Sequence, residues 1–148
     1  MTRRLDPADS EIIALLQQDA RLSPAVIGRR LKLAKVEVET RIAGLEQRGI
    51  ITGYYARIDP AALGHGISAF IRVTSRGYVT PLEVVASQLP GIIECHSVTG
   101  DHDSIVRVVA PDVAALEQII VELKRCGVTS TSLILSSTVV QKPIPSPA

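Results

Sequence analysis

The sequence predicts an α+β fold in which an N-terminal helix-turn-helix domain is joined by a strand linker to a ferredoxin-like βαββαβ domain. Apolar residues recur at helical spacing up to about residue 49, and strand-like alternation begins directly afterwards. The second half then follows the order β-α-β-β-α-β. The predicted boundaries are 1–50 for the helix-turn-helix, 51–66 for a strand and hinge linker, 67–140 for the ferredoxin-like domain and 141–148 for a flexible tail.

Capping signals place the three helices of the first domain. Asp6-Pro7 and Ser23-Pro24 each combine an N-cap residue with a proline suited to a first helical turn. A third helix is predicted from about Lys35, and Gly49 is placed to end it. Its buried face is formed by Val38, Ile42 and Leu45, at i, i+4 and i+7.

Alternating and β-branched segments predict the remaining elements. The run IITGYYARID predicts a linker strand, and 60–66 a hinge rich in small residues. The ferredoxin-like domain is predicted to contain strands Ile67–Thr74, Ile92–Val98, Ser104–Ala110 and Ser130–Val139, with helices Pro81–Gln88 and Asp112–Arg125. Because apolar residues lie on both sheet faces, we expect a second copy of the chain to cover the face that lacks helices.

Composition narrows the functional classes. With 46% hydrophobic residues, the chain can bury a core, while 3% aromatic residues disfavour stacking on single-stranded nucleic acid. No apolar run predicts a membrane span, and the two cysteines predict neither a disulfide framework nor a metal cluster, so we expect a cytoplasmic protein. Residues 1–58 hold ten Lys/Arg against seven Asp/Glu, or +3, which favours a nucleic-acid-facing N-terminal unit.

The third helix is predicted to contact double-stranded DNA through a nearly neutral row, Val36, Thr40, Ala43 and Gln47, that points away from its buried face. The accompanying cations are Arg29, Arg30, Lys32, Lys35, Arg41 and Arg48. The alternative is an ordinary solvated helix face.

Three glutamates on this helix are interpreted as flank and edge residues. Glu37 stands four residues before Arg41 and Glu39 four after Lys35, the spacing of helical ion pairs. Glu46 is expected to make a structural hydrogen bond near the buried edge.

The run SVTGDHDS is by spacing alone best interpreted as a β-hairpin turn. Its amides and the carboxylates of Asp101 and Asp103 could alternatively hold the carboxylate and ammonium of an amino acid. A divalent ion on Asp101, His102 and Asp103 is disfavoured, because adjacent residues point in different directions. No metal site or cofactor is predicted.

Several segments together resemble the Lrp/AsnC family of feast/famine transcription regulators. They are LDPADSEIIALLQQDARLS, RIAGLEQRGIITGYYARIDPAALG, SVTGDHD and TSTSLIL, which span most of residues 5–139. The resemblance implies a homodimer assembling into a higher even oligomer, commonly an octamer, that binds operator DNA and senses an amino acid between dimers. It assigns the effector site to Thr99, Gly100, Asp101, His102, Asp103, Thr129 and Thr131.

Three residues near the turn before the third helix depart from the pattern of this family. Lys32 stands at a left-handed turn position that usually holds Gly, Ala34 replaces a Ser N-cap, and Gly28 replaces a small Ala that packs the second helix against the third. Together they predict a looser or atypically turned motif.

Two other interpretations stay open at this point. A sensing or scaffold protein could retain the architecture with a head that no longer binds DNA. A tetrapyrrole-processing branch of decarboxylases resembles the same two-part architecture, and there His96 and His102 would be candidates for acid chemistry.

Overall fold

A computed structural model describes residues 5–145 except Arg76 and Tyr78. Its contacts divide the chain into two units, one containing the residues up to Ala56 and those from Val139 onward, the other Arg57–Thr138. Each unit encloses its own apolar core.

The first unit is built from α1 (Pro7–Gln18), α2 (Pro24–Leu31) and α3 (Lys35–Gln47). The side chains of Asp6 and Ser23 accept hydrogen bonds from the Ala8 and Val26 amides, so the predicted N-caps are confirmed. Four fully buried side chains, contributed by all three helices, form the centre of the core: Ile12, Ile27, Val38 and Leu45.

The turn between α2 and α3 is tight rather than loose. Lys32 adopts the expected left-handed conformation (φ 58°), and both its amide and that of Leu33 donate to the Gly28 carbonyl. A Cβ atom on Gly28 would lie 2.6 Å from the Leu33 carbonyl oxygen, so only glycine permits this approach. Gly28 therefore closes the turn, and of the two predicted alternatives the looser motif was wrong. Ala34 makes no side-chain cap, as expected.

The predicted linker strand is absent: residues 52–59 form no ladder with another segment of the described chain. A strand requires a backbone partner as well as an alternating sequence, and none is available to this segment. Residues Pro60–Leu63 form a single 3-10 turn, capped by Asp59.

The second unit contains β1 (Ile67–Thr74), α4 (Leu82–Gln88), β2 (Ile92–Ser97), β3 (Ser104–Ala110), α5 (Val113–Leu123) and β4 (Val128–Leu133). The strands lie in the order β2-β3-β1-β4 and all neighbours are antiparallel, which confirms the ferredoxin-like topology. Strand β4 begins two residues earlier than predicted and ends six residues earlier, because only Val128–Leu133 face β1.

Alternation along β1 gives the sheet two chemically different faces. Ala69, Ile71 and Val73 are completely buried against the core formed with α4 and α5. Phe70, Arg72 and Thr74 point to the opposite face, and Phe70 remains 38% exposed. This second surface, which we call the open face, is the face that the sequence predicts a second copy to cover.

The predicted tail makes one specific contact. The Gln17 side chain accepts a hydrogen bond from the Ile144 amide (2.7 Å) and donates one to its carbonyl (3.1 Å). The segment is therefore held to α1 at this residue rather than free from residue 141 onward, while 146–148 lie outside the described residues.

Among the residues described, no helix is both long and apolar enough to cross a membrane.

Replacing Lys32 by Gly should stabilise the first unit by about 1 kcal/mol, because glycine adopts the left-handed conformation without the Cβ clash. The measurement is the urea midpoint of helix loss by far-UV circular dichroism. Lys32→Ala is the matched control: it removes the same charge but keeps the Cβ, so an equal rise in both variants would contradict the conformational explanation.

Candidate functional site

The outward row of α3 is displayed as predicted. Val36 is 70% exposed, and Thr40, Ala43 and Gln47 are also exposed. The Thr40 hydroxyl donates to the Val36 carbonyl (2.8 Å), one turn earlier in the same helix. The row therefore presents two small apolar groups and two polar ones, a set able to contact base edges in a major groove.

Arg41 forms a network that joins α3 to the start of α1. Its Nη1 lies 3.1 Å from Asp6 Oδ2 and 3.0 Å from Asp9 Oδ1, while its Nε lies 3.1 Å from Glu37 Oε1. Arg48 approaches the second oxygen of Asp9 at 3.5 Å. Asp9 is 7% exposed, so two cations surround a carboxylate that is almost removed from water. We call these residues the Arg41 cluster.

The pKa values in the Arg41 cluster follow its hydrogen bonds. The Ala8 amide, reinforced by Arg41, holds the pKa of Asp6 below its usual range. Hydrogen bonds to Asp9, Asp6 and Glu37 raise the pKa of Arg41. Because the folded-state pKa of Asp6 is depressed, its contribution to stability is present at neutral pH and is lost as the pH falls through that lowered value.

The glutamates take the predicted positions. Besides the Glu37–Arg41 contact, Lys35 Nζ lies 3.3 Å from Glu39 Oε1. Glu46 accepts a hydrogen bond from the Tyr54 hydroxyl (2.9 Å), and burial together with this carboxylate raises the pKa of Tyr54.

The other cations predicted to face DNA differ in whether an acidic side chain lies close to them. Arg29, Arg30 and Lys32 are exposed, and within the described part of the chain none has a carboxylate within 4.0 Å. Lys35 and Arg48 keep one acidic neighbour each. Arg29 and Arg30, in the last turn of α2, are thus the most available to phosphate.

A second candidate site lies on the open face of the sheet, beside the turn between β2 and β3. It is an open depression of about 650 Å³, lined by Arg72, Ser97, Val98, Thr99, Asp101, His102 and Ile105. Three of the predicted effector residues, Thr99, Asp101 and His102, therefore lie together. Gly100 has a φ of 118°, a conformation that glycine adopts without strain.

Asp103 and His102 are held by β1. The Asp103 carboxylate accepts the Ser75 amide (2.7 Å), and the Asp103 amide donates to the Val73 carbonyl (3.1 Å). His102 Nδ1 lies 3.0 Å from the Thr74 hydroxyl. Asp103 thus shapes the turn, while Asp101 keeps its carboxylate exposed in the depression.

The two predicted threonines of β4 are not brought to this depression. Thr129 and Thr131 stand opposite Val73 and Ile71, so they point to the helix-covered face. Ser130 and Ser132 occupy the open face instead, and Arg72 Nη1 donates to Ser132 Oγ (3.1 Å).

Arg72 is not among the predicted effector residues, although the β1 alternation that places Phe70 on the open face also places Arg72 there. A further cluster on strands β2 and β3 joins Arg107 Nη1 to Glu94 Oε1 (2.7 Å), with His96 Nε2 3.5 Å from Glu94. Burial would raise the pKa of Glu94, but Arg107 and His96 outweigh it and lower the pKa.

Among the described residues, no group of three or more His, Cys, Asp or Glu side chains is placed to hold a metal ion. The two histidines suggested for acid chemistry have different partners. His96 lies beside the Glu94 carboxylate, and His102 lies beside the Thr74 hydroxyl.

Comparison with known proteins identifies a domain family for each unit. The sequence profile of the AsnC-type helix-turn-helix domain matches residues 5–46, and that of the Lrp/AsnC ligand binding domain matches residues 68–144. The chain belongs to the Lrp/AsnC family. Members of this family are transcriptional regulators with a DNA-binding helix-turn-helix.

Individual Lrp/AsnC proteins match over nearly their full lengths. The HTH-type transcriptional regulator LrpA of Mycobacterium tuberculosis is 30% identical over 141 residues, covering 93% of this chain and 94% of the relative. The leucine-responsive regulatory protein of Escherichia coli is 32% identical over 133 residues, covering 86% and 81%. A transcriptional regulator of Neisseria meningitidis, solved as a complex with L-methionine, superposes with a TM-score of 0.86 at 25% identity, covering 96% and 97%.

In this Lrp/AsnC chain, Arg41→Ala should destabilise the first unit more than Lys35→Ala. Removal of Arg41 leaves Asp9 almost buried with only the longer contact to Arg48, whereas Lys35 and Glu39 are both well exposed. Thermal denaturation of the two variants makes the comparison. Equal melting temperatures would show that the Arg41 cluster contributes no more than a surface pair.

Proposed function

We propose that this regulator reads specific DNA sequences with the exposed row of α3 and that an amino acid bound in the depression beside the β2–β3 turn controls it. The observation that carries the DNA-binding proposal is the row Val36, Thr40, Ala43 and Gln47, displayed on a helix that the Arg41 cluster ties to α1. Thr40 and Gln47 contact base edges, and Val36 and Ala43 contact thymine methyl groups.

The cations divide into two roles in this proposal. Arg29, Arg30 and Lys32 contact phosphates, with Lys35 and Arg48 at the flanks of the helix. Arg41 is a positioning residue instead, since its guanidinium already binds three carboxylates of its own unit. Few phosphates are then neutralised by each head, so affinity depends weakly on salt and on several heads acting together.

The effector proposal rests on the depression together with the Neisseria regulator, which was solved with L-methionine. Asp103 and Gly100 shape the turn, while Thr99, Asp101 and His102 face the ligand. A ligand that prefers one assembly of the protein shifts the population toward it and changes DNA binding by the same differential free energy.

A homodimer, and a higher even oligomer built from it, would cover the open face, and the amino acid would then be bound between copies of the chain. The half-exposed Phe70 supports this proposal, because large apolar side chains at the centre of a sheet face are normally covered. The exposed segment 52–59 is also long enough to pair as a strand with a second copy of the chain.

Selection of genomic fragments by the purified protein should yield a shared operator sequence. Arg29→Gln and Arg30→Gln should each weaken binding by the same factor for the operator and for unrelated DNA. Each should also lower the slope of log affinity against log salt by about 1. Gln47→Ala should instead relax preference at one base pair, at a cost of roughly 1–3 kcal/mol.

Lys124→Gln is the matched control, since it removes an exposed cation from α5's C-terminal cap, far along the sequence from α3. Loss of binding in this variant would point to unspecific charge attraction. A wild-type protein that enriches no sequence would overturn the DNA-binding proposal and favour a sensing protein without a functional head.

A further inference from the structure

We infer that Thr40 reads the major groove only as a hydrogen-bond acceptor, and that it therefore selects adenine or cytosine over thymine or guanine at one position on one strand of the operator. This inference rests on the proposed function, in which the outward row of α3 faces the bases. It adds the direction of one hydrogen bond, and with it the chemical class of base that the row accepts at that position.

The Thr40 hydroxyl has already used its only proton. It donates to the Val36 carbonyl at 2.8 Å, a typical length for an O–H···O hydrogen bond. A hydroxyl carries one donor and two acceptor lone pairs, so only acceptor capacity remains. The bond joins residues one helical turn apart, and Thr40 stays exposed. Thr40 thus offers a base lone pairs but no free proton.

This internal hydrogen bond makes acceptance from a base more favourable than donation to one. To donate, the hydroxyl would have to release the Val36 carbonyl, so one hydrogen bond would be exchanged for another. When the hydroxyl accepts, the existing bond is kept and a second one is added, and each strengthens the other. The difference is one hydrogen bond, which corresponds to a factor of about three to ten in affinity.

Two groups of the bases donate hydrogen bonds in the major groove: the N6 amino group of adenine and the N4 amino group of cytosine. Thymine O4 and guanine O6 are acceptors, and so is N7 of both purines. An oxygen that can only accept pairs with an amino group and is repelled by a keto oxygen. Thr40 therefore separates amino bases from keto bases on one strand, and it does not separate A·T from G·C pairs.

The neighbours of Thr40 do not make the same selection. Two residues of the outward row are apolar, and the third, Gln47, carries both a donor and an acceptor. The charged side chains on either side of Thr40 are ion-paired: Glu39 lies 3.3 Å from Lys35, and Arg41 binds three carboxylates. Free Arg or Lys side chains are the usual readers of guanine, so these paired residues leave the base to Thr40.

The test compares the wild-type protein with Thr40→Val on the selected operator, with every base pair replaced in turn. Valine keeps the branched shape and removes the hydroxyl. At one position the wild type should prefer adenine or cytosine by about three- to tenfold, and Thr40→Val should lose this preference while keeping the others. Thr40→Ser, which retains the hydroxyl, should keep it. Thr40→Ala favours the helix and replaces Thr40→Val if that variant does not fold.

Base analogues at this position identify the group that is read. 2-Aminopurine, which carries its amino group in the minor groove, replaces adenine, and 2-pyrimidinone, which lacks the amino group, replaces cytosine. Each should weaken wild-type binding by about three- to tenfold and leave Thr40→Val unaffected. A 7-deazapurine in the same base pair removes the N7 acceptor and should act equally on both proteins. Thr138→Val is the matched protein control, since it removes an exposed hydroxyl from the second unit.

The outcomes separate the inference from the function on which it rests. If the wild-type protein enriches no DNA sequence, the proposed DNA-binding function and the inference both fail. If it binds an operator and a folded variant without the hydroxyl keeps every base preference, or loses a preference for thymine or guanine, the inference alone is overturned. Wild-type affinity that is unchanged by the analogue without a major-groove amino group would overturn it as well.

Discussion

One guanidinium ties α3 to the start of α1. Arg41 binds Asp6 and Asp9 from the N-terminal end of α1 and Glu37 from its own helix. The acidic residues on α3 are thereby accounted for in pairs: Glu37 helps to orient Arg41, and Glu39 pairs with Lys35. With these carboxylates paired, the outward row of α3 keeps a nearly neutral surface.

In the second unit, the alternation of one strand produces both the core and the candidate effector site. Every second residue of β1 is buried beneath the helices, as Ile71 and Val73 show, while Arg72 between them lines the depression. A shift of register by one residue would bury the arginine and expose the apolar residues. The apolar core and the candidate effector site therefore depend on the same register of β1.

Local patterns in the sequence predicted much of the fold, since N-caps, helical spacing and strand alternation act between near neighbours. The caps at Asp6 and Ser23 follow from such local rules. Features that depend on distant partners were missed or misplaced. The strand predicted over IITGYYARID lacks a backbone to pair with in the described part of the chain, and Thr129 faces the core side because its register with β1 places it there. Two of the three carboxylates that bind Arg41, those of Asp6 and Asp9, lie more than thirty residues away at the start of α1. Register and tertiary ion pairs have no periodic signal in the sequence.

The salt dependence of operator binding by Arg41→Ala distinguishes a positioning residue from a phosphate contact. Loss of a phosphate contact lowers the slope of log affinity against log salt by about 1, because one fewer counterion is released. Loss of a positioning residue weakens binding and leaves the slope unchanged, since the phosphate contacts of the bound state are the same in number. If Arg41 positions α3 without contacting DNA, as proposed, Arg41→Ala should bind more weakly with the wild-type slope. A slope lowered by about 1 would instead assign Arg41 to a phosphate.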